Sequence, residues 1–145
     1  MIIPSITHCL ALALLVTLAA CGGADPATQV KDSYSALSSR DYAGAESGFT
    51  EALTQLEPGD PDHMRAQLGL YRARSYSDPV GAKKSFLAYA KANGLAIIDY
   101  TQFISDLVSG NHLDDAIAVV GEMKSVFPDD PKVDEMGNLL VAKAK

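Results

Sequence analysis

The groups able to do chemistry in this chain are few and widely spaced. Cys21 is a thiol nucleophile at the end of a run, Cys9–Ala20, that is apolar except for Thr17. His63 and His112 lie 49 residues apart, and no HxxxH or HExxH spacing places two imidazoles on one helical face. His112 reads as a turn residue. Asp114-Asp115 and Asp129-Asp130 are paired carboxylates. Each pair precedes or opens a helix, where negative charge is favoured by the backbone dipole, so capping explains them better than acid–base work. There is no G-x-S-x-G elbow, no S-x-x-K and no P-loop or dinucleotide fingerprint. Gly22-Gly23 reads as a linker. These absences lead us to expect no enzyme, no metal and no cofactor.

Leu18-Ala19-Ala20-Cys21 resembles the lipobox of bacterial lipoproteins. The resemblance implies that the Cys21 sulfur accepts a diacylglyceryl group and becomes the first residue of the mature chain. A twelve-residue apolar run suits a signal-peptide core. It is shorter than the roughly 20 residues that a membrane-spanning helix needs. The segment Met1–His8 departs from the pattern by carrying no Lys or Arg. An ordinary secretory signal cut nearby, or a short uncleaved anchor, are the alternatives. Gly22 stands where enteric-type sorting places an aspartate for inner-membrane retention. The resemblance therefore implies a lipid anchor, palmitate-type acyl chains included, at the outer membrane facing the periplasm. The expected organisation is a signal peptide over 1–20, the lipidated cysteine and a tether over 21–27, and a folded domain over 28–145.

Residues 1–20 contain no Asp, Glu, Lys or Arg, so the mature part keeps the whole net charge of −6. An acidic chain argues against nucleic acid and against docking on anionic lipid through a basic patch. With Cys9 removed and Cys21 acylated, no disulfide is available inside the domain. Stability must come from apolar packing. The length suits one domain.

The elements that must position any site read as helices separated by tight turns. Val30, Tyr34 and Leu37 recur at helical spacing. Asp41 can cap a second helix carrying Ala45, Phe49 and Ala52. Pro58-Gly59-Asp60-Pro61 breaks the chain and starts a third, with Met64, Leu68 and Tyr71. Asp78-Pro79 opens a fourth, with Val80, Phe86 and Leu87, and Asn93-Gly94 closes it. The segment Leu95 to Val108, including Ile97, Ile98, Phe103 and Ile104, is the most apolar helix, and Gly110-Asn111 ends it. Leu113 to Phe127, with Ile117, forms a sixth, and Asp130-Pro131 starts a seventh. Strand signals are almost absent, so the expected fold class is all-α.

Ala45-x3-Phe49-x2-Ala52, Ala82-x3-Phe86-x2-Tyr89 and Ala116-x3-Val120-x2-Met123 share one pattern, their alanines 37 and 34 residues apart. Small residues facing bulky ones let antiparallel helices approach closely. The pattern, with Asp41-Tyr42, Leu68-Gly69 and Pro128, resembles the tetratricopeptide repeat. Trp is absent, and an extra residue falls near Tyr76–Asp78. The resemblance implies an αα-hairpin array of about three helix pairs plus a C-terminal capping helix. That last helix would keep a wet outer face through Lys132, Asp134, Glu135, Lys143 and Lys145.

In that family the first helix of each pair lines a groove. Transferring the register puts Lys31, Tyr34, Gln67, Leu70, Arg74, Thr101, Gln102 and Ser105 toward it. Lys31 and Arg74 would suit a partner segment with some negative charge. The expected function is a membrane-anchored, protein- or peptide-binding adaptor assisting envelope assembly or secretion. The alternative is a structural or regulatory accessory that acts through its convex or capping face or by self-association.

Overall fold

The computed structural model describes residues 24–145. Residues 1–20, Cys21 and the first two tether residues, Gly22-Gly23, lie outside the described residues. Seven α-helices follow one another: α1 (Pro26–Ser38), α2 (Tyr42–Leu53), α3 (Pro61–Arg74), α4 (Pro79–Asn93), α5 (Ile97–Ser109), α6 (Leu113–Val126) and α7 (Pro131–Lys143). No strand occurs among the described residues. The chain is an all-α array of consecutive helix pairs.

Short polar side chains start most of these helices by accepting from otherwise orphaned backbone N–H groups. Asp25, Asp41, Asp60, Asp78 and Asp130 do this for α1, α2, α3, α4 and α7. Pro26, Pro61, Pro79 and Pro131 follow four of those caps, where a missing N–H costs nothing. Because Asp25-Pro26 opens α1, the helical domain begins at Pro26, two residues before the expected boundary. Asp99 closes the start of α5 by accepting from the Ala96 N–H. Gly94 ends α4 in the left-handed conformation, φ 62°.

Odd-numbered helices form one layer, in which α1 packs on α3, α3 on α5, and α5 on α7. Helices α2, α4 and α6 form a second layer: α2 packs on α1 and α3, α4 on α3 and α6, and α6 on α5 and α7. The turns from first to second layer are three residues after α1 and α5, and four after α3. The longer turn contains Tyr76–Asp78. Close approach between layers depends on missing side chains. A methyl at Gly48 would overlap the Ser33 hydroxyl, and one at Gly69 would overlap the Phe49 ring.

The core is built from the small-and-bulky pattern. Ala45, Phe49 and Ala52 join Val30, Leu37, Ala66 and Leu70 in one buried cluster. Phe86, Tyr100, Phe103, Ile104, Leu107, Met123 and Leu140 anchor a second. The Phe86 ring stacks on Phe103 at 4.3 Å and meets Tyr100 edge-on at 5.3 Å, the latter a perpendicular geometry that aromatic quadrupoles favour. Helix α7 buries Val133, Met136 and Leu140 and exposes Lys132, Asp134, Glu135 and Lys143, as a terminal cap must. Met64, Val80, Ile98 and Ile117, apolar positions of their helices, are instead exposed.

Candidate functional site

The last turns of α1, α3 and α5 end beside one another and leave a cavity of about 350 Å³. Tyr34, Leu37 and Ser38 come from α1, Arg72 from α3, and Asp106 and Ser109 from α5; Arg40, Tyr42 and Tyr76 come from the adjoining turns and the start of α2. Three successive helices of one layer thus contribute to a single concavity, which polar groups dominate.

Its floor is an ion pair. Arg72 Nε donates to Asp106 Oδ2 at 2.5 Å, and Arg72 Nη1 donates to Gln102 Oε1 at 3.3 Å. The Tyr76 hydroxyl reaches Asp106 Oδ1 at 3.5 Å. Burial pushes the Asp106 carboxyl above its ordinary pKa, and the Arg72 and Tyr76 hydrogen bonds only partly oppose this. Burial likewise pushes the Tyr76 phenol up, helped by its neighbours Tyr42 and Asp106. Tyr34, raised for the same reason, donates its hydroxyl to the Arg65 carbonyl and sets its ring edge against Phe49. Tyr42 and Tyr76 stack face to face and form one wall.

The expected groove residues divide among three environments. Lys31 is exposed and makes no ion pair among the described residues. Tyr34 lines the cavity, Gln102 supports its floor, and Ser105 is exposed on α5 with its hydroxyl returned to the Thr101 carbonyl. Gln67 is half-buried beside Tyr71. Leu70 and Thr101 are corrected: both are buried, Leu70 in the first core cluster and Thr101 with its hydroxyl donated to the Ile98 carbonyl. Arg74 is corrected too. Its Nε binds Glu46 of α2 at 2.8 Å, so it serves the second layer rather than the cavity. The cavity cations are Arg72, two positions earlier, and Arg40, neither of which the transferred register selected. A separation of 34 residues between Arg72 and Asp106, close to one repeat, was the available signal.

A second depression of about 600 Å³ lies between α4, the α4–α5 turn and α6. Leu87, Leu95, Tyr100 and Val126 make it mainly apolar, with Lys91 and Glu122 at its edges. Among the described residues no cluster of three His, Cys, Asp or Glu side chains is placed to hold a metal ion. None of the described helices is long and apolar enough to cross a membrane. No protein-family model matches the chain, and no curated protein or solved structure matches it.

Proposed function

We propose that this chain is a lipid-anchored, periplasm-facing adaptor of tetratricopeptide-like architecture that holds a segment of a partner protein in the groove of its first layer. The observation carrying this reading is the cavity to which α1, α3 and α5 all contribute, because a concavity built across repeats is where such arrays present binding groups. Partly buried, hydrogen-bonded Arg72 and Asp106 hold its floor in place before any partner arrives, which lowers the ordering cost of binding. The anchor follows from Cys21 and its preceding residues. Helix α1 starts only five residues after Cys21, so a span of about 3.5 Å per residue would keep the domain close to the membrane surface.

The test combines anchor and groove. Cys21→Ser should abolish fatty-acid labelling and release the protein from envelope membranes. Ser109→Arg, which fills the cavity from an exposed position, should keep the fold and lose partner capture. Labelling that persists in Cys21→Ser would sink the anchor; unchanged capture in Ser109→Arg would sink the groove.

The accessory reading draws on a different surface. The apolar depression beside the exposed Val126 shares no lining residue with the cavity. It predicts that Val126→Glu, not Ser109→Arg, disrupts association.

A further inference from the structure

Arg40 occupies a backbone position that suits it poorly. It is the middle residue of the three-residue turn between α1 and α2, with φ 64°. The matching turn between α5 and α6 has the same geometry, and there the middle residue is Asn111, with φ 63°. Both turns close alike: Asp41 N–H donates to the Ala36 carbonyl, and His112 N–H to that of Leu107. Asn tolerates the left-handed region far better than a long side chain does. An arginine there costs local strain, of a kind that clusters at functional sites.

Arg40 lines the cavity together with Arg72, and the one carboxylate in that lining, Asp106, is already engaged by Arg72. Of the four arginines, Arg40 alone makes no ion pair among the described residues. The cavity therefore holds a surplus positive charge in a protein of net charge −6. Arg40 also lines a second hollow of about 380 Å³, which shares Tyr42 and Tyr76 with the first and adds Glu46 and Ser77. Asp41 lines that hollow, where Glu46 is paired with Arg74, and makes it the less favourable of the two for an anion.

We propose that Arg40 and Arg72 form a subsite for one acidic side chain, Asp or Glu, of an extended partner segment that crosses the stacked tyrosines. This rests on the adaptor reading and gives the partner its chemistry. Guanidinium groups recognise carboxylates through directed, charge-assisted hydrogen bonds. Two hollows that share the stacked tyrosines favour a segment that passes over them rather than one that ends there.

The experiment uses the isotope-labelled domain and two short blocked peptides that differ only in a central Glu or Gln. The Glu peptide should give saturable shifts at the Arg40 and Arg72 side chains and at Tyr76, with a Kd on the order of 1 mM for so small a contact. The Gln peptide should bind roughly tenfold more weakly. Arg40→Asn should melt no lower than wild type, because Asn suits the turn, yet lose the preference for Glu. Equal binding of both peptides, no saturable shift with either, or a retained preference in Arg40→Asn would each overturn the subsite. So would inorganic phosphate reproducing the same shifts at equal concentration, which would mark a general anion site. Failure here with Ser109→Arg still blocking partner capture removes the subsite alone. Peptide binding without any groove-dependent capture removes the adaptor reading alone.

Discussion

The ring of Tyr42 lies over that of Tyr76 with centroids 3.7 Å apart and planes 10° from parallel. This contact ties the first residue of α2 to the turn that leaves α3, and so joins two helix pairs at the cavity edge. Tyr76→Ala should destabilise the domain by about 2 kcal/mol, from lost apolar burial and lost stacking. Tyr76→Phe keeps the ring and gives up only the long contact with Asp106. It should cost under about 1 kcal/mol. Denaturant unfolding of both variants checks this; equal losses would mean that the hydroxyl, not the stack, matters.

Layer contact depends on glycine at two places. Gly69→Ala drives a methyl into the Phe49 ring and should cost about 1–3 kcal/mol. Gly48→Ala meets the Ser33 hydroxyl, itself donated to the Gln29 carbonyl at 2.7 Å. Ser33→Ala removes the clashing atom, so the double variant should recover more than half of the Gly48→Ala loss. A double-mutant cycle measures the coupling; simple additivity would show that the α1–α2 approach is not limited by that hydroxyl.

Two arginines of α3 sit two positions apart and should behave differently. Arg74 and Glu46 form a half-exposed pair, with side chains 39% and 34% accessible, and Arg74→Ala should cost at most about 1 kcal/mol. Arg72 and Asp106 are less accessible, at 25% and 14%, and Arg72→Ala strands the carboxylate. It should cost about 2–3 kcal/mol. Comparable losses from the two would contradict the cavity floor described above.

Asp106 should make stability depend on pH in an unusual direction. Its pKa is raised in the folded protein, chiefly by burial, so the folded state holds the proton more tightly than the unfolded one. The contribution is fully present below the unfolded value and is lost as pH rises through the folded value. The slope cannot exceed about 1.4 kcal/mol per pH unit for one group. Relative to Asp106→Asn, the wild type should therefore lose stability on raising pH across that interval. Thermal melts at closely spaced pH values read the difference; a gap that widens in the wild type's favour would contradict it.

Much of the fold was legible because its punctuation is chemical. Asp41, Asp60 and Asp78 cap the helices they precede, and Gly94 takes the left-handed position expected of it. The alanine-and-phenylalanine spacing located Ala45, Phe49, Ala82 and Phe86 in the core. The site was less legible, because a helix turns about 100° per residue and small register errors move a side chain to another face. Arg74 and Arg72 differ by two positions and face different layers. Leu70 and Thr101 went inward because α1, α3 and α5 pack side by side and cover more of each helix than an isolated hairpin would. Arg40 lines the cavity from a turn at φ 64°, a position that helical periodicity does not mark.

The claim that the first-layer groove holds a partner is tested most directly by site-specific photocrosslinking in native envelopes. The crosslinker is placed at Ser38 on the cavity rim, and separately at Ile117, which is exposed on α6. The account predicts one dominant partner adduct from Ser38, none from Ile117, and loss of the Ser38 adduct when Ser109→Arg is added. An adduct from Ile117 alone, or a Ser38 adduct indifferent to Ser109→Arg, would place recognition on another surface and contradict the account.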